Sequence, residues 1–265
     1  MTEYAGQGDA RRTLALLWGT TEASTRGPKP GLDVETIVAA AIAVADAEGL
    51  GALSMRKVAE RLGRSVMSLY TYVPGKAELL DVMLDRVQAE SPRNYDRSAG
   101  WRPAVEAMAR SALAFYERHP WVLQVSTSRT SMGPHEFDAY ETALSLLDGI
   151  GLTGLQMQRA VGAIDAFVRG SAKNLADARA GEGATGMSDD EWWFARRALL
   201  DEMTADVWAE RYPVSTRLDT EEHVFEQPER APGDATGYME RDVIDAFDFG
   251  LQLLLDGIEA LVGRD

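Results

Sequence analysis

Between Ser54 and Lys76 the chain carries Arg56, Lys57, Arg61, Arg64 and Lys76 against one acid, Glu60. Short hydroxyl and apolar side chains lie among them: Ser65, Val66, Met67, Ser68 and Thr71, with Tyr70 and Tyr72 alongside. Cations at this density suit phosphate oxygens, while hydroxyls and methyls suit the donor, acceptor and methyl pattern of base edges in a major groove. The chemistry is that of holding a nucleic acid. Bond-making chemistry has no counterpart in the sequence. There are no paired carboxylates at fixed spacing and no nucleophile motif, and AGEGATG follows no strand, so it does not read as a phosphate cradle. The histidines do not stand at ligand spacing with acids, so neither a metal nor a cofactor is expected, and the chain does not read as an enzyme.

Helical elements must position those residues. Met55, Val58, Ala59 and Leu62 fall at i, i+3, i+4 and i+7, one face of a short helix that Ser54 can cap. Gly63 follows where a left-handed turn costs glycine little, and Ser65 can cap a second helix with Val66, Leu69, Tyr70 and Val73 inward. Helix, glycine turn, helix is a helix-turn-helix, and its second helix offers Met67, Ser68, Thr71 and Tyr72 outward. A helical corner without nucleic acid is the alternative on pattern alone. Ahead of it, Ile37, Ala40, Ala41, Val44 and Ala47 form the third wall of a small three-helix domain, capped by Asp33. After Lys76, Leu79, Leu80, Met83, Leu84 and Val87 continue as a fourth helix.

The run VAERLGRSVMSLYTYVPGKAELLDVMLD resembles the DNA-binding segment of the TetR family of bacterial transcriptional regulators, with LYTYVPGKAELL its most restrictive part. The likeness extends from Asp33 to Arg86. It implies that Tyr70 and Lys76 are phosphate ligands and that Val66, Met67, Ser68 and Thr71 face bases. Arg56 matches an arginine that reaches DNA in some members, and Ser54, Ser65 and Tyr72 complete the expected DNA-facing set. Farther on, FDFGLQLLLDGIEAL resembles the C-terminal dimer helix of the tetracycline-repressor-like branch. The implied protein is a homodimeric repressor on a near-palindromic operator of double-stranded DNA, released by a small-molecule effector.

The chain of 265 residues is long enough for a sizeable core, and having no cysteine it can form neither disulfides nor thiolate metal sites, which suits a cytoplasmic protein. No apolar run reaches a membrane span, so no membrane partner is expected. A net charge of −15 opposes non-specific nucleic-acid binding by the whole molecule while leaving the locally basic segment free to bind specifically. Residues 1–32 read as an N-terminal arm: Arg26 and Lys29 suit a minor groove, a disordered tail is an equal alternative, and Leu14 to Trp18 could instead dock on the protein's own surface. Residues 33–78 read as the DNA-binding domain and 79–265 as a helical effector-binding and dimerisation body, an all-α fold with no strand. GEGATGMSDD and Tyr212-Pro213 read as loops.

Two helices, near 153–180 and 238–262, carry a small-residue stripe and a surplus of apolar surface. They suit a four-helix bundle across a two-fold axis, although packing within one subunit is the alternative. Aromatic residues crowd the body. Resemblance to the family places an effector among the body helices, with Phe115, Trp121, Phe137, Tyr140 and Phe167 as its expected lining, against the alternative that these are ordinary core.

Overall fold

The computed structural model describes residues 3–20, 32–126, 128–204, 207–222 and 236–262. Its helices in chain order are α1 (Ala10–Leu17), α2 (Val34–Glu48), α3 (Met55–Arg61), α4 (Val66–Tyr70), α5 (Lys76–Gln88) and α6 (Trp101–Arg118). There follow α7 (Pro134–Leu147), α8 (Gly154–Thr185), α9 (Asp189–Thr204), α10 (Trp208–Arg211), α11 (Pro213–Glu222) and α12 (Tyr238–Val262). The fold is all-α apart from β1 (Glu3–Tyr4) and β2 (Val125–Ser126), which pair in parallel with Glu3 opposite Val125. No strand was expected, because a two-residue ladder is too short to leave an alternating pattern.

The caps follow the sequence. Asp33 accepts the Thr36 N–H at 2.7 Å, Ser54 that of Lys57 at 3.1 Å and Ser65 that of Ser68 at 3.3 Å. Gly63 takes the left-handed turn between α3 and α4 at φ +62°. Two expected loops are helical in part, with residues 186–188 and Tyr212 left outside any helix. α8 runs through GEGAT, since single glycines among alanine and glutamate weaken a helix by only about 1 kcal/mol each, and it stops at Gly186 with φ +74°. Pro213 opens α11, where its missing N–H would have had no helical partner.

Packing divides the chain into two compact units, Met1–Lys173 with Leu251–Asp265, and Asn174–Gly250. In the second, Asp190 accepts the N–H groups of Tyr238 and Met239 at 2.9 and 3.2 Å and so caps α12, and Arg197 joins Asp201 and Asp219 at 2.9 and 2.6 Å. In the first, α5 packs on α2 and also on α1 and α7.

α5 is buried over much of its circumference. Leu79, Met83 and Val87 are apolar, but Glu78, Asp81 and Asp85, at i, i+3 and i+7, form a buried acidic stripe. Backbone donors from other segments meet each acid. Glu78 accepts the Asp9 N–H at 3.0 Å, Asp81 the Gly6 N–H at 2.8 Å, and Asp85 those of His135 and Glu136 at 2.9 and 3.0 Å. Asp85 is thereby the cap of α7, whose own N-cap, Gly133, has no side chain. Burial raises both Asp81 and Asp85 above the usual carboxylate range; the Gly6 N–H opposes the rise at Asp81, the Glu136 and His135 N–H groups at Asp85. A carboxyl raised on folding favours the fold below its unfolded value, and that advantage is lost as pH climbs through the raised one.

A Cβ on Gly133 would overlap the Asp85 carboxylate and its Cβ. Gly133→Ala should therefore lower unfolding stability in urea by about 1–3 kcal/mol. In an Asp85→Gly background, which removes the Asp85 Cβ together with its carboxylate, the same change should cost much less, so equal losses in both backgrounds would refute the overlap.

Candidate nucleic-acid interface

Inside the helix-turn-helix, Met55, Val58 and Ala59 of α3 and Leu69 and Val73 at α4 are buried against α2 and its neighbours. With Leu69 and Val73 pinned inward, the rest of α4 faces out. Met67 is 75% exposed and Tyr70 44% exposed. Tyr70 thus leaves the inward face that its spacing suggested. Ser54, Ser65 and Thr71 are exposed, and Val66, Ser68 and Tyr72 are half-buried. The Ser68 hydroxyl donates to the Ser65 carbonyl at 2.6 Å, so toward a base it is left as an acceptor.

Cations surround this surface. Arg61 and Arg64 are exposed at the end of α3 and in the turn. Arg56 is exposed and pairs with Glu60 one turn on at 2.8 Å, and Lys57 pairs with Glu48 of α2 at 2.9 Å. Lys76, the first residue of α5, lies 3.2 Å from Glu3. Arg26 and Lys29 lie outside the described residues. Of the readings for the first residues, docking on the protein's own surface is the one that Leu14 to Trp18 adopt: Leu17 is buried and the Trp18 indole donates to the Met132 carbonyl at 3.0 Å.

The reader is joined to the body by a network that the sequence did not announce. Asp46 of α2 accepts the Trp121 indole N–H at 2.8 Å, and the same oxygen lies 2.8 Å from His119 Nδ1. His119 Nε2 stands 3.2 Å from Glu90, just beyond α5. Burial raises the Glu90 carboxyl, but hydrogen bonds and charge from His119 and Arg118 together hold it below the ordinary value. Asp46 and Glu90 are far from His119 in sequence, and no local pattern marks them as its partners.

The five expected effector-lining residues differ in their surroundings. Phe115 and Trp121 are buried on either side of His119, at ring distances of 5.5 and 6.5 Å from it. Phe137 is exposed and faces Trp18 at 6.3 Å, Tyr140 is exposed on α7, and Phe167 is half-buried on α8. A polar group absent from that set lies close by. Arg169 of α8 donates to the carbonyls of Val122, Leu123 and Val125, and its guanidinium lies 5.7 Å from the Tyr116 ring centroid. Asp165 keeps an accessible surface, yet burial raises its carboxyl above the usual range.

Among the described residues no group of histidines and acids could hold a metal, and no helix is long and apolar enough to cross a membrane. Fold and surface together define a helix-turn-helix regulator with a helical body. Residues 37–83 match the family described as bacterial regulatory proteins, tetR family, and residues 94–262 match the tetracyclin repressor-like C-terminal domain. The chain is 46% identical over 264 residues to the HTH-type transcriptional repressor DrrR1 of Streptomyces coeruleorubidus, covering 99% of this chain and 90% of that protein. It is 31% identical over 171 residues to an HTH-type transcriptional regulator of Saccharopolyspora erythraea, covering 64% and 72% of the two. ActR of Streptomyces coelicolor, solved in complex with actinorhodin, shares the fold with a TM-score of 0.69 at 24% identity, over 89% of this chain and 99% of ActR. The chain belongs to the TetR family of bacterial transcriptional regulators.

Two substitutions separate the expected roles on this surface. Met67→Ala should reorder preference among half-sites more than it lowers overall affinity, whereas Lys76→Ala should weaken all sequences about equally and flatten the salt slope by about one unit. Competition binding on a panel of single-base variants reads both, and equal losses on every site for Met67→Ala would contradict base contact.

Proposed function

We propose that this chain is a cytoplasmic homodimeric repressor that holds a near-palindromic operator through α4 and lets go when a small molecule enters the body. The observation that carries the reading is the outward presentation of Met67 and Tyr70 by a helix whose Leu69 and Val73 are fully buried, beside the exposed Arg61 and Arg64. Met67 and Val66 offer no hydrogen bond, so any contact they make with a base is apolar, for example to a thymine methyl. Tyr70 and Lys76 take phosphates, and Arg56, Ser54, Ser65, Thr71 and Tyr72 border the same groove. The 46% identity to a named repressor over almost the whole chain supports repression.

Dimerisation is supported by α8 and α12. On α12, Phe247, Leu251, Leu255 and Ile258 are buried, while Phe249 and Leu253, one turn apart, are 69% and 57% exposed. On α8 Leu155 is exposed, and so are Gly162, Ala163, Ala166 and Gly170, which are small enough for close helix approach. A bundle of these helices across a two-fold axis would bury about 2,000 Å² or more in total and set two α4 helices about 34–36 Å apart.

We infer the effector site beside Tyr116, Asp165 and Arg169, with Phe115 and Phe167 as apolar neighbours. A related fold holding actinorhodin in ActR supports a small-molecule site in such a body. Effector binding would shift α5 and loosen the operator about 5- to 150-fold, the usual range of coupling between two sites.

Selection of fragments from a random DNA pool at near-physiological salt tests the reading. Near-palindromes with half-sites one turn apart are expected, and recovery of nothing, or of single half-sites, would overturn it. Phe249→Asp should convert the dimer to monomer in sedimentation and lower operator affinity by roughly tenfold or more.

A further inference from the structure

Residues 3–18 take no part in the reader or the body as described, yet they are firmly held. Ala5, Thr13 and Leu17 are buried, β1 pairs with β2, and the N–H groups of Gly6 and Asp9 end on Asp81 and Glu78 of α5. A Cβ on Gly8 would run into the Glu78 carboxylate, 2.5 Å from its Oε1, so glycine lets the backbone lie directly on that acid. At the far end Trp18 is fixed to Met132. These anchors fix where Glu3 can reach.

Glu3 reaches Lys76. Its Oε1 lies 3.2 Å from Nζ, with the two side chains 41% and 40% exposed. The other ion pairs of the reader cations come from within it, Arg56 with Glu60 and Lys57 with Glu48. Among these three pairs only that of Lys76 has an acid delivered from outside the three-helix domain. A DNA phosphate arriving at Lys76 would meet a carboxylate already on the ammonium, and two anions within reach of one cation repel. The strap keeps that carboxylate at high effective concentration, as a tethered ligand does.

We propose that Glu3 is a built-in competitor for the operator phosphate at Lys76, an affinity-determining residue that holds DNA binding below what the helix-turn-helix alone would reach. The proposal rests on the reading of Lys76 as a phosphate ligand. Because the strap is bound to α5 and to the residues before α7, a shift of those helices carries the competitor with it.

The test compares full-length wild type, Glu3→Gln, Lys76→Ala and the double variant on the operator obtained by selection, over a salt series. Glu3→Gln should tighten binding about two- to fivefold, the range expected from an exposed ion pair. It should also steepen the plot of log K against log salt by up to about one unit, since no carboxylate is left to take up a cation when Lys76 moves to phosphate. In the Lys76→Ala background Glu3→Gln should change nothing. A Glu3→Gln protein that binds like wild type or more weakly would overturn the proposal, as would a gain that persists without Lys76. If Lys76→Ala binds as wild type does, the fault lies in the phosphate-ligand reading and the competitor role falls with it. If wild type selects no DNA, the repressor reading is what fails.

Discussion

Asp81 and Asp85 lie inside the protein with carboxyls raised by burial, and the N–H groups that meet them come from residues 75 and 50 positions away. A buried acid with no donor is costly, so these contacts constrain what surrounds α5. They force glycine at 133, put the first turn of α7 on α5 and bring the first residues of the chain across the same helix. The apolar side of α5 meanwhile packs with α2. One helix therefore packs on α2 of the reader, gives Glu78 and Asp81 to the first residues of the chain and gives Asp85 to the body. On the proposed reading, a movement of the body that breaks those N–H bonds would be felt where Lys76 begins the helix.

That arrangement explains how an acidic protein can present a basic surface. The net charge of −15 is spread over a chain whose acids are in part spent on internal work: Asp46 on Trp121, Asp85 on α7, Asp190 on α12. Around α4 the balance is reversed, with Arg61 and Arg64 exposed and few acids nearby. Specific binding can then proceed against weak non-specific attraction, which suits a regulator that must find one site among many.

Much of the reader was legible in the sequence because its signals are local. Asp33, Ser54 and Ser65 cap the helices their positions suggest, Gly63 takes the left-handed turn, and Met55, Val58, Ala59, Leu69 and Val73 are buried. Tyr70 was ambiguous because helical spacing alone fits it to either face. What could not be read were contacts between distant segments. Nothing near Glu3 points to Lys76, nothing near Asp46 to Trp121, and a two-residue strand leaves no period. The body was harder still. Aromatic residues at helical spacing look alike whether they fill a core or line a cavity, so Trp121 and Phe137 were grouped, while the structure puts one on Asp46 and the other against Trp18.

The most direct test of the account is the distance between the two α4 helices of a dimer on DNA. Ala39→Cys supplies one label site in a chain with no other cysteine, at an exposed position on α2 outside the proposed DNA-facing set. Pulsed dipolar spectroscopy on the spin-labelled protein bound to a selected operator should give one narrow distance that, corrected for the offset of Ala39 from α4, sets the two α4 helices about 34–36 Å apart. The distribution should shift or broaden when the operator is removed. The absence of a dipolar signal, or a spacing that cannot reach two successive major grooves, would contradict it.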